Sequence, residues 1–518
     1  MLSWYLIQKL YAGCMKGRTL KINFVINVFG AIVPLVVALV TVPVYVRHIG
    51  DARYGVLSLV WVLLGYFGFL DLGLSRAAAN ALARLRHAPQ GARAGVLVTT
   101  LVLNLGLGLF GSLCLAVFGN YLLQHVLAVP EALKLEIAQA FPWIVGLFPL
   151  ALLSGVGIGA LESRERFLLA NVLQVSGMSL GQIAPVILAV VVSPSLAVVI
   201  PAAAMARALT MAAILIAVYR DEGPLSLAAF DRHQARKLLA YGGWISVSGI
   251  ISPILSSLDQ FVIGSVLNVA AVAHYAVPMN LVTRSQVFAG ALTRTLFPWM
   301  SSVGPDEAHS LASRALLSLA YSYGAICAPA IILTPVFFKY WIGADFAAVA
   351  APVAEILFFG AWINGLAFVP YGLLQSQGRP DVIGKFHAAE VLPFIGILWG
   401  LTSAFGITGA ALAWSLRCAA DAACLLWAAR MPGRALLQAI VLPLCLLAGS
   451  HFVAVNVGPN LWVSLAAGAV AGLAGVTLAI VVSKDLRDSI SALALRVPGS
   501  HILSRPRSPL TGRPETLK

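Results

Sequence analysis

Runs of about twenty apolar residues recur from one end of this chain to the other, and that feature restricts its fold more than any other. A helix of that length spans a hydrocarbon core about 30 Å thick. No water satisfies the backbone inside lipid, so only helices and closed barrels are stable there. Barrel strands would alternate apolar and polar residues at every second position, and these runs do not. Composition agrees, with 60% of the 518 residues hydrophobic, 10% charged and a mean hydropathy of +0.91. Soluble domains carry about 25% charged residues. The expected fold class is an all-α polytopic membrane protein.

Fourteen membrane helices are expected, over roughly 22–46, 54–78, 94–118, 137–160, 167–191, 196–218, 238–266, 270–298, 311–333, 350–374, 382–404, 408–428, 435–455 and 461–483. An even number returns both termini to one side. Lys and Arg collect in cytoplasmic loops, so loop charges test the count. Alternate loops and the two terminal segments hold 25 such residues, while the opposite loops hold only Arg47, Arg53, Lys134 and Lys339. Both termini are therefore expected in the cytoplasm. The same bias accounts for the net charge of +14 without nucleic acid as a partner. Segment 1–21 reads as a basic, inside-facing flank, because the apolar run after it is too long for a signal-peptide core. The basic tail 484–518 reads as disordered.

The chain also repeats itself. Gly159-Ala-Leu-Glu-Ser-Arg-Glu-Arg166 matches Gly372-Leu-Leu-Gln-Ser-Gln-Gly-Arg379 at an offset of 213, and Arg207 and Arg417 lie 210 apart. Six helices per copy is even, so both copies enter the membrane in the same direction, as parallel repeats. The expected division is a six-helix lobe over 22–219, a cytoplasmic linker over 220–237, a second six-helix lobe over 238–430 and two additional helices over 431–483.

Particular segments sharpen this plan. The opening hairpin carries PVYVRHIGDARYG from Pro43 and LDLGLSRA from Leu70; later come GLLQSQGRP from Gly372 and FGITGAALAWSLR from Phe405. These segments, on two parallel lobes with two further helices, resemble the polysaccharide transporters. That family, within the superfamily of multidrug, oligosaccharidyl-lipid and polysaccharide exporters, flips lipid-linked oligosaccharides across bacterial inner membranes. The resemblance implies a flippase for a polyprenyl-diphosphate-linked unit of O-antigen, capsule or exopolysaccharide, working by alternating access. It implies as partners the lipid-linked substrate, membrane lipids, and the polymerase and other export machinery; without a nucleotide-binding motif, the expected driving force is a proton or sodium gradient or downstream consumption of product. The alternatives are a multidrug or lipid II exporter of the same fold and, less compatible with the short outside loops, a membrane glycan polymerase or ligase.

Sequence chemistry narrows the field. Gly106-Leu-Gly-Leu-Phe-Gly111 spells a dinucleotide fingerprint but lies within an apolar span, where small residues let helices approach closely. The same holds for Gly155-Val-Gly-Ile-Gly159 and for Gly468 with Gly472. No phosphate-binding loop, metalloprotease motif or nucleophile elbow occurs, so neither a catalytic residue nor a cofactor is expected. The six cysteines are scattered without metal-ligand spacing.

The informative residues are charges inside spans, which are costly in lipid and usually face a cavity or a partner. Arg207, Arg284 and Arg417 fall about 14–21 Å into their helices, near the midplane. An anionic diphosphate would suit buried guanidinium groups, which hold phosphate oxygens bidentately. The substrate-binding candidates are Arg284, Arg207, Arg294 and Arg76. Asp71, Asp259 and Glu390 are the candidates for coupling to an ion. Arg417 and Asp421, four residues apart, could pair within one helix. For the sugar, Asn280, Gln286, Tyr275, Trp244 and Trp362 are candidate polar and aromatic wall residues, and His274 and His387 are expected at interfaces.

Overall fold

In the computed structural model, residues 32–66, 70–85, 90–119 and 126–483 are described, together with Gly30, Tyr121 and Arg487. The expected N-terminal flank 1–21 lies outside the described residues, as does nearly all of the tail 484–518. Among the described residues every regular element is helical. The elements are α1 (Ile32–Ile49), α2 (Asp51–Tyr66), α3 (Leu74–Arg84), α4 (Gln90–Cys114), α5 (Glu131–Ser163), α6 (Phe167–Val191) and α7 (Leu196–Glu222). They continue as α8 (Arg232–Val266), α9 (Val269–Ser285), α10 (Val287–Ser302), α11 (Pro305–Trp341), α12 (Ala344–Ser376), α13 (Pro380–Ala428), α14 (Gly433–Val457) and α15 (Leu461–Val482).

Ten of these helices are individually long and apolar enough to cross a membrane. The count reaches fourteen when α2 with α3, and α9 with α10, are each taken as one broken span, α8 is added and α13 is divided at Gly406. Gly406 has φ 63° and ψ −144°, outside the helical region. The chain reverses sharply there, because a Cβ on Gly409 would lie 1.9 Å from the Leu401 carbonyl oxygen. The two halves of α13 thus form an antiparallel hairpin, matching the expected spans 382–404 and 408–428.

The two broken spans occupy corresponding places in the two lobes, the second span of each. Interrupted helices at matching positions of internal repeats mark binding sites in transporters, since irregular backbone is tolerated at membrane depth only beside a cavity or within protein. The repeat is visible at backbone level as well. After α5, Arg166 N–H donates to the Leu161 carbonyl with Glu165 at φ 60°; after α12, Arg379 N–H donates to the Leu374 carbonyl with Gly378 at φ 71°. Every participant is shifted by the same 213 residues.

Close helix approaches follow the small residues. A Cβ on Gly108 would lie 2.7 Å from Pro149 Cα, and one on Gly157 would lie 2.3 Å from the Ile214 side chain. α14 and α15 pack on α11, where Tyr321 donates to the Gln438 carbonyl and Gly475 lies against Ala325. Their other faces carry exposed Phe452, Trp462 and Leu473, as lipid contact requires.

Some boundaries differ from expectation. The linker is shorter than 220–237, because α7 runs to Glu222 and α8 starts at Arg232, capped by Asp231. α1 passes through Pro43, as its expected span did, and ends three residues later than expected, at Ile49. Proline lacks the N–H that would bond the carbonyl four residues earlier, here Leu39, and that carbonyl instead accepts from Trp341 Nε1 at 2.6 Å. The same device recurs at Pro149, whose freed Val145 carbonyl accepts from the Ser112 hydroxyl at 2.8 Å.

Candidate functional site

The two lobes meet most closely at one end of the bundle, where the α1–α2, α8–α9 and α11–α12 turns lie. α2 packs on α9, with Gly55 so near Val269 that a Cβ would sit 1.6 Å from its carbonyl oxygen. Arg47, at the end of α1, donates to the carbonyls of Ile342 (2.8 Å) and Trp341 (3.3 Å), which terminate α11. A guanidinium there also faces the negative end of the helix dipole. Asp51 reaches His274 at 3.2 Å, and Ala128 N–H bonds the Gly264 carbonyl. Each of these contacts crosses between lobes. The other end of the first lobe is held internally: Glu222 takes both Arg93, 1% exposed, and Arg164, at 2.6 and 2.8 Å.

Beneath the interlobe contact lies a central cavity of about 630 Å³ between α1, α2 and α6 on one side and α8 and α9 on the other. Its wall holds the aromatic rings of Tyr45, Tyr54, Trp61 and Trp341, and the uncharged polar groups of Ser58, Gln182, Gln260 and Asn280. Arg284 is the one charged residue that lines it among the described residues. The cavity continues into a smaller space of about 180 Å³ that shares Trp61, Gln182 and Arg284 and adds Arg207. From there Gly177, Met178 and Arg207 lead to a third space of about 370 Å³ inside the first lobe, lined by Ser75, Arg76 and Gly155 among others.

Three of the four expected arginines, Arg284, Arg207 and Arg76, therefore follow one connected set of cavities. Arg207 and Arg284 have no ion-pair partner within 4 Å among the described residues, while Arg76 interacts at longer range with the Asp71 carboxylate. A guanidinium without a counter-ion at this depth requires water or an anion. Arg294, on α10, does not join them: it lines none of the three spaces.

The expected acids are dispersed. Asp71 sits in the break between α2 and α3, and its carboxylate accepts from the Ser75 backbone N–H (3.2 Å) and hydroxyl (2.6 Å). That is a helix cap on α3, rather than a carboxylate turned to the central cavity. Asp259 is fully buried in α8 and ties it to α9 by accepting from the Tyr275 hydroxyl at 2.5 Å. Glu390 belongs to a separate cluster between the halves of α13. Arg417 approaches Glu390 at 3.5 Å and His387 approaches Asp421 at 3.4 Å. The expected Arg417–Asp421 pair along one helix is thus replaced by two pairs across the hairpin, because the reversal at Gly406 faces residues 387 and 390 towards 421 and 417. A space of about 300 Å³ opens on this cluster, bordered by Asn364 and Tyr371.

The expected sugar wall is largely elsewhere. Asn280 lines the central cavity. Tyr275 is spent on Asp259, Trp362 is buried with its indole N–H on the Ala320 carbonyl, and Gln286 accepts from Asn364. The side chain of Trp244 lies outside the described residues. Sequence reasoning missed Trp61, Trp341, Gln182 and Gln260. Gln182 carried only a weak signal, since it is one of three amides, with Asn171 and Gln174, in the same span; Trp61 carried none, since aromatic residues in spans more often face lipid or core.

Over residues 20–303 the chain matches the family described as polysaccharide biosynthesis protein. It is 26% identical over 411 residues to a candidate O-antigen transporter of Shigella flexneri, an alignment covering 78% of this chain and 96% of that protein. Among solved structures, the lipid II flippase MurJ in an inward closed conformation superposes with a TM-score of 0.67 at 14% identity, over 90% of this chain and 99% of that one. An inward-facing multidrug resistance MATE transporter superposes with a TM-score of 0.66 at 18% identity, over 79% and 98%. At such identities the two structures speak for the fold.

Proposed function

This chain belongs to the polysaccharide biosynthesis protein family, and from that premise we propose that it is a flippase for polyprenyl-diphosphate-linked oligosaccharide in a bacterial inner membrane. The observation that carries the reading is the character of the central cavity. It lies between the lobes, its lining charge is the cation Arg284, and the rest of its wall is aromatic or neutral and hydrogen-bonding. Cationic drugs call for carboxylates in that place. An anionic headgroup carrying sugars calls for guanidinium groups beside rings and amides.

The diphosphate occupies the connected space that Arg284 and Arg207 both line, one from each lobe. Arg76 offers the next cation along the path into the first lobe. The interlobe contact at Arg47, Gly55 and His274 is the outward-side closure, in keeping with the loop-charge bias that puts both termini in the cytoplasm. Opening that closure while the opposite end shuts passes the headgroup across; no bond is made or broken, and the protein acts as a carrier. The coupling ion, a proton or sodium, acts at the second-lobe cluster. There the Glu390 and Asp421 carboxylates share one guanidinium, Arg417, and the titratable His387, and a carboxylate in excess of its fixed cation favours the uptake of another.

The test is cellular. Cells that make the glycan but lack this chain should accumulate the lipid-linked oligosaccharide on the inner leaflet and display none outside. The intact chain should restore display, and Arg284→Ala at equal membrane abundance should not. Restoration by Arg284→Ala would remove the cavity cation from the mechanism.

A further inference from the structure

The junction between the central and connecting cavities is built around one ring. Trp61 of α2 lines both spaces, and the residues it shares between them are Gln182 and Arg284. A ligand group that extends from one space into the other must pass the indole. Trp341 and Trp362 commit their indole N–H groups to backbone carbonyls. Trp61 forms no such bond among the described residues, so its polar edge is available.

Two amides near the ring are prepared for hydroxyl groups. The Gln182 side-chain amide meets the Thr41 hydroxyl at 3.1 Å, while that hydroxyl donates to the Val37 carbonyl at 2.8 Å, and the Gln182 backbone carbonyl accepts from the Tyr45 hydroxyl at 2.9 Å. Those bonds fix the residue at the wall of both spaces, where its amide has hydrogen-bonding capacity beyond the one contact with Thr41. Gln260, 6% exposed, lines the central cavity, and its side-chain oxygen is buried without a hydrogen-bond partner. A buried acceptor with no partner carries a desolvation cost that a ligand hydroxyl relieves. An aromatic ring and two amides line one space, with guanidinium groups on the diphosphate side.

We infer that this junction is a carbohydrate subsite, in which Trp61 stacks on the sugar bonded directly to the diphosphate and Gln182 and Gln260 read its hydroxyl groups. The inference rests on the lipid-linked oligosaccharide reading above. The C–H face of a pyranose is apolar and its rim is hydroxylated, which matches an indole face bordered by amides. Arg284 and Arg207 then hold the diphosphate one step further into the connecting space. Selectivity for the first sugar lies with Trp61, while the arginines hold any polyprenyl diphosphate.

The experiment measures equilibrium binding of two probes to the purified full chain in nanodiscs: polyprenyl diphosphate, and the same lipid bearing one N-acetylhexosamine. Wild type should prefer the sugar-bearing lipid, and Trp61→Ala should weaken that lipid about tenfold or more while leaving bare polyprenyl diphosphate within about twofold. Trp61→Phe, which keeps a ring face, should stay close to wild type on both. Arg207→Ala should weaken both probes alike. If Trp61→Ala does not insert, Trp61→Leu, with apolar bulk and no ring, must give the same selective loss. Equal loss for both probes would make Trp61 a scaffold residue and overturn the subsite, as would a wild type that binds the two equally; in either case the lipid-diphosphate reading stands. A wild type that binds neither probe overturns that reading and the subsite with it.

Discussion

Gly55→Ala adds one methyl group where the lobes touch, and the structure states how far they must part. The new Cβ would lie 1.6 Å from the Val269 carbonyl oxygen and 2.7 Å from its carbon. Both are backbone atoms, so no side chain can rotate away. A carbon–oxygen contact needs about 3.3 Å, so α2 and α9 must separate locally by about 1.7 Å. Within α2 the substitution is favourable, since alanine exceeds glycine in helix propensity by about 1 kcal/mol. The strain therefore belongs to the interface and not to the helix. Overpacking of a tight contact costs about 1–3 kcal/mol. Expressed as a shift between two lobe arrangements, that lowers the closed-to-open ratio by a factor of about 5–150. The assay is the labelling rate of a cysteine placed at Asn280, in the central cavity, by a membrane-impermeant maleimide added from outside to an otherwise cysteine-free chain. Gly55→Ala should raise that rate at unchanged abundance and slow flipping. Unchanged labelling with wild-type flipping would refute the reasoning.

Other perturbations separate neighbouring parts of the same picture. Trp341→Phe removes the indole donor to Leu39, and Pro43→Ala gives that carbonyl back to its own helix; each should raise outside labelling as Gly55→Ala does, by a smaller factor, in the same maleimide assay. Glu222→Gln leaves Arg93 buried beside an uncharged partner and should destabilise the chain by about 3–5 kcal/mol, seen as lower membrane abundance and a lower detergent unfolding midpoint. Asp71→Asn preserves a capping oxygen for α3 and should retain both abundance and flipping, whereas Asp71→Ala should cost about 0.5–2 kcal/mol of stability; loss of flipping by Asp71→Asn at full abundance would return Asp71 to the coupling role. Glu390→Gln should insert normally yet flip without response to an imposed proton or sodium gradient, measured in proteoliposomes.

Class and repeat were legible in the chain because both rest on long, one-dimensional patterns. Apolar length dictates helices in lipid, and loop charge is a count that a wrong span would scramble. The matching turns after Gly159 and Gly372 were legible because Gly, Leu, Ser and Arg recur at the same places in both copies, although the left-handed residue itself is Glu165 in one and Gly378 in the other. Side-chain direction was not legible. Asp71 read as a charge in the middle of a helix because nothing in LDLGLSRA says that the helix breaks before Leu74 and turns that carboxylate into a cap. Arg417 and Asp421 satisfied the spacing for a pair along one helix, but the reversal at Gly406 supplied each with a closer partner from thirty residues away. Trp61 was invisible because a ring on a span faces lipid, core or cavity with the same letter. The depth of the arginines could be read from spacing, but not that Arg284, Arg207 and Arg76 line cavities while Arg294 lines none of them.

The most direct measurement of the central claim uses proteoliposomes that hold this chain and a lipid-linked oligosaccharide labelled on its sugar. Access of an external lectin or glycosidase to that sugar reports which leaflet it occupies. The account predicts that protein-bearing vesicles expose the inner-leaflet pool in a time-dependent way, that protein-free vesicles do not, and that Arg284→Ala vesicles resemble the protein-free ones. An inner pool that stays protected with wild type present, or that appears outside equally fast with Arg284→Ala, would contradict it.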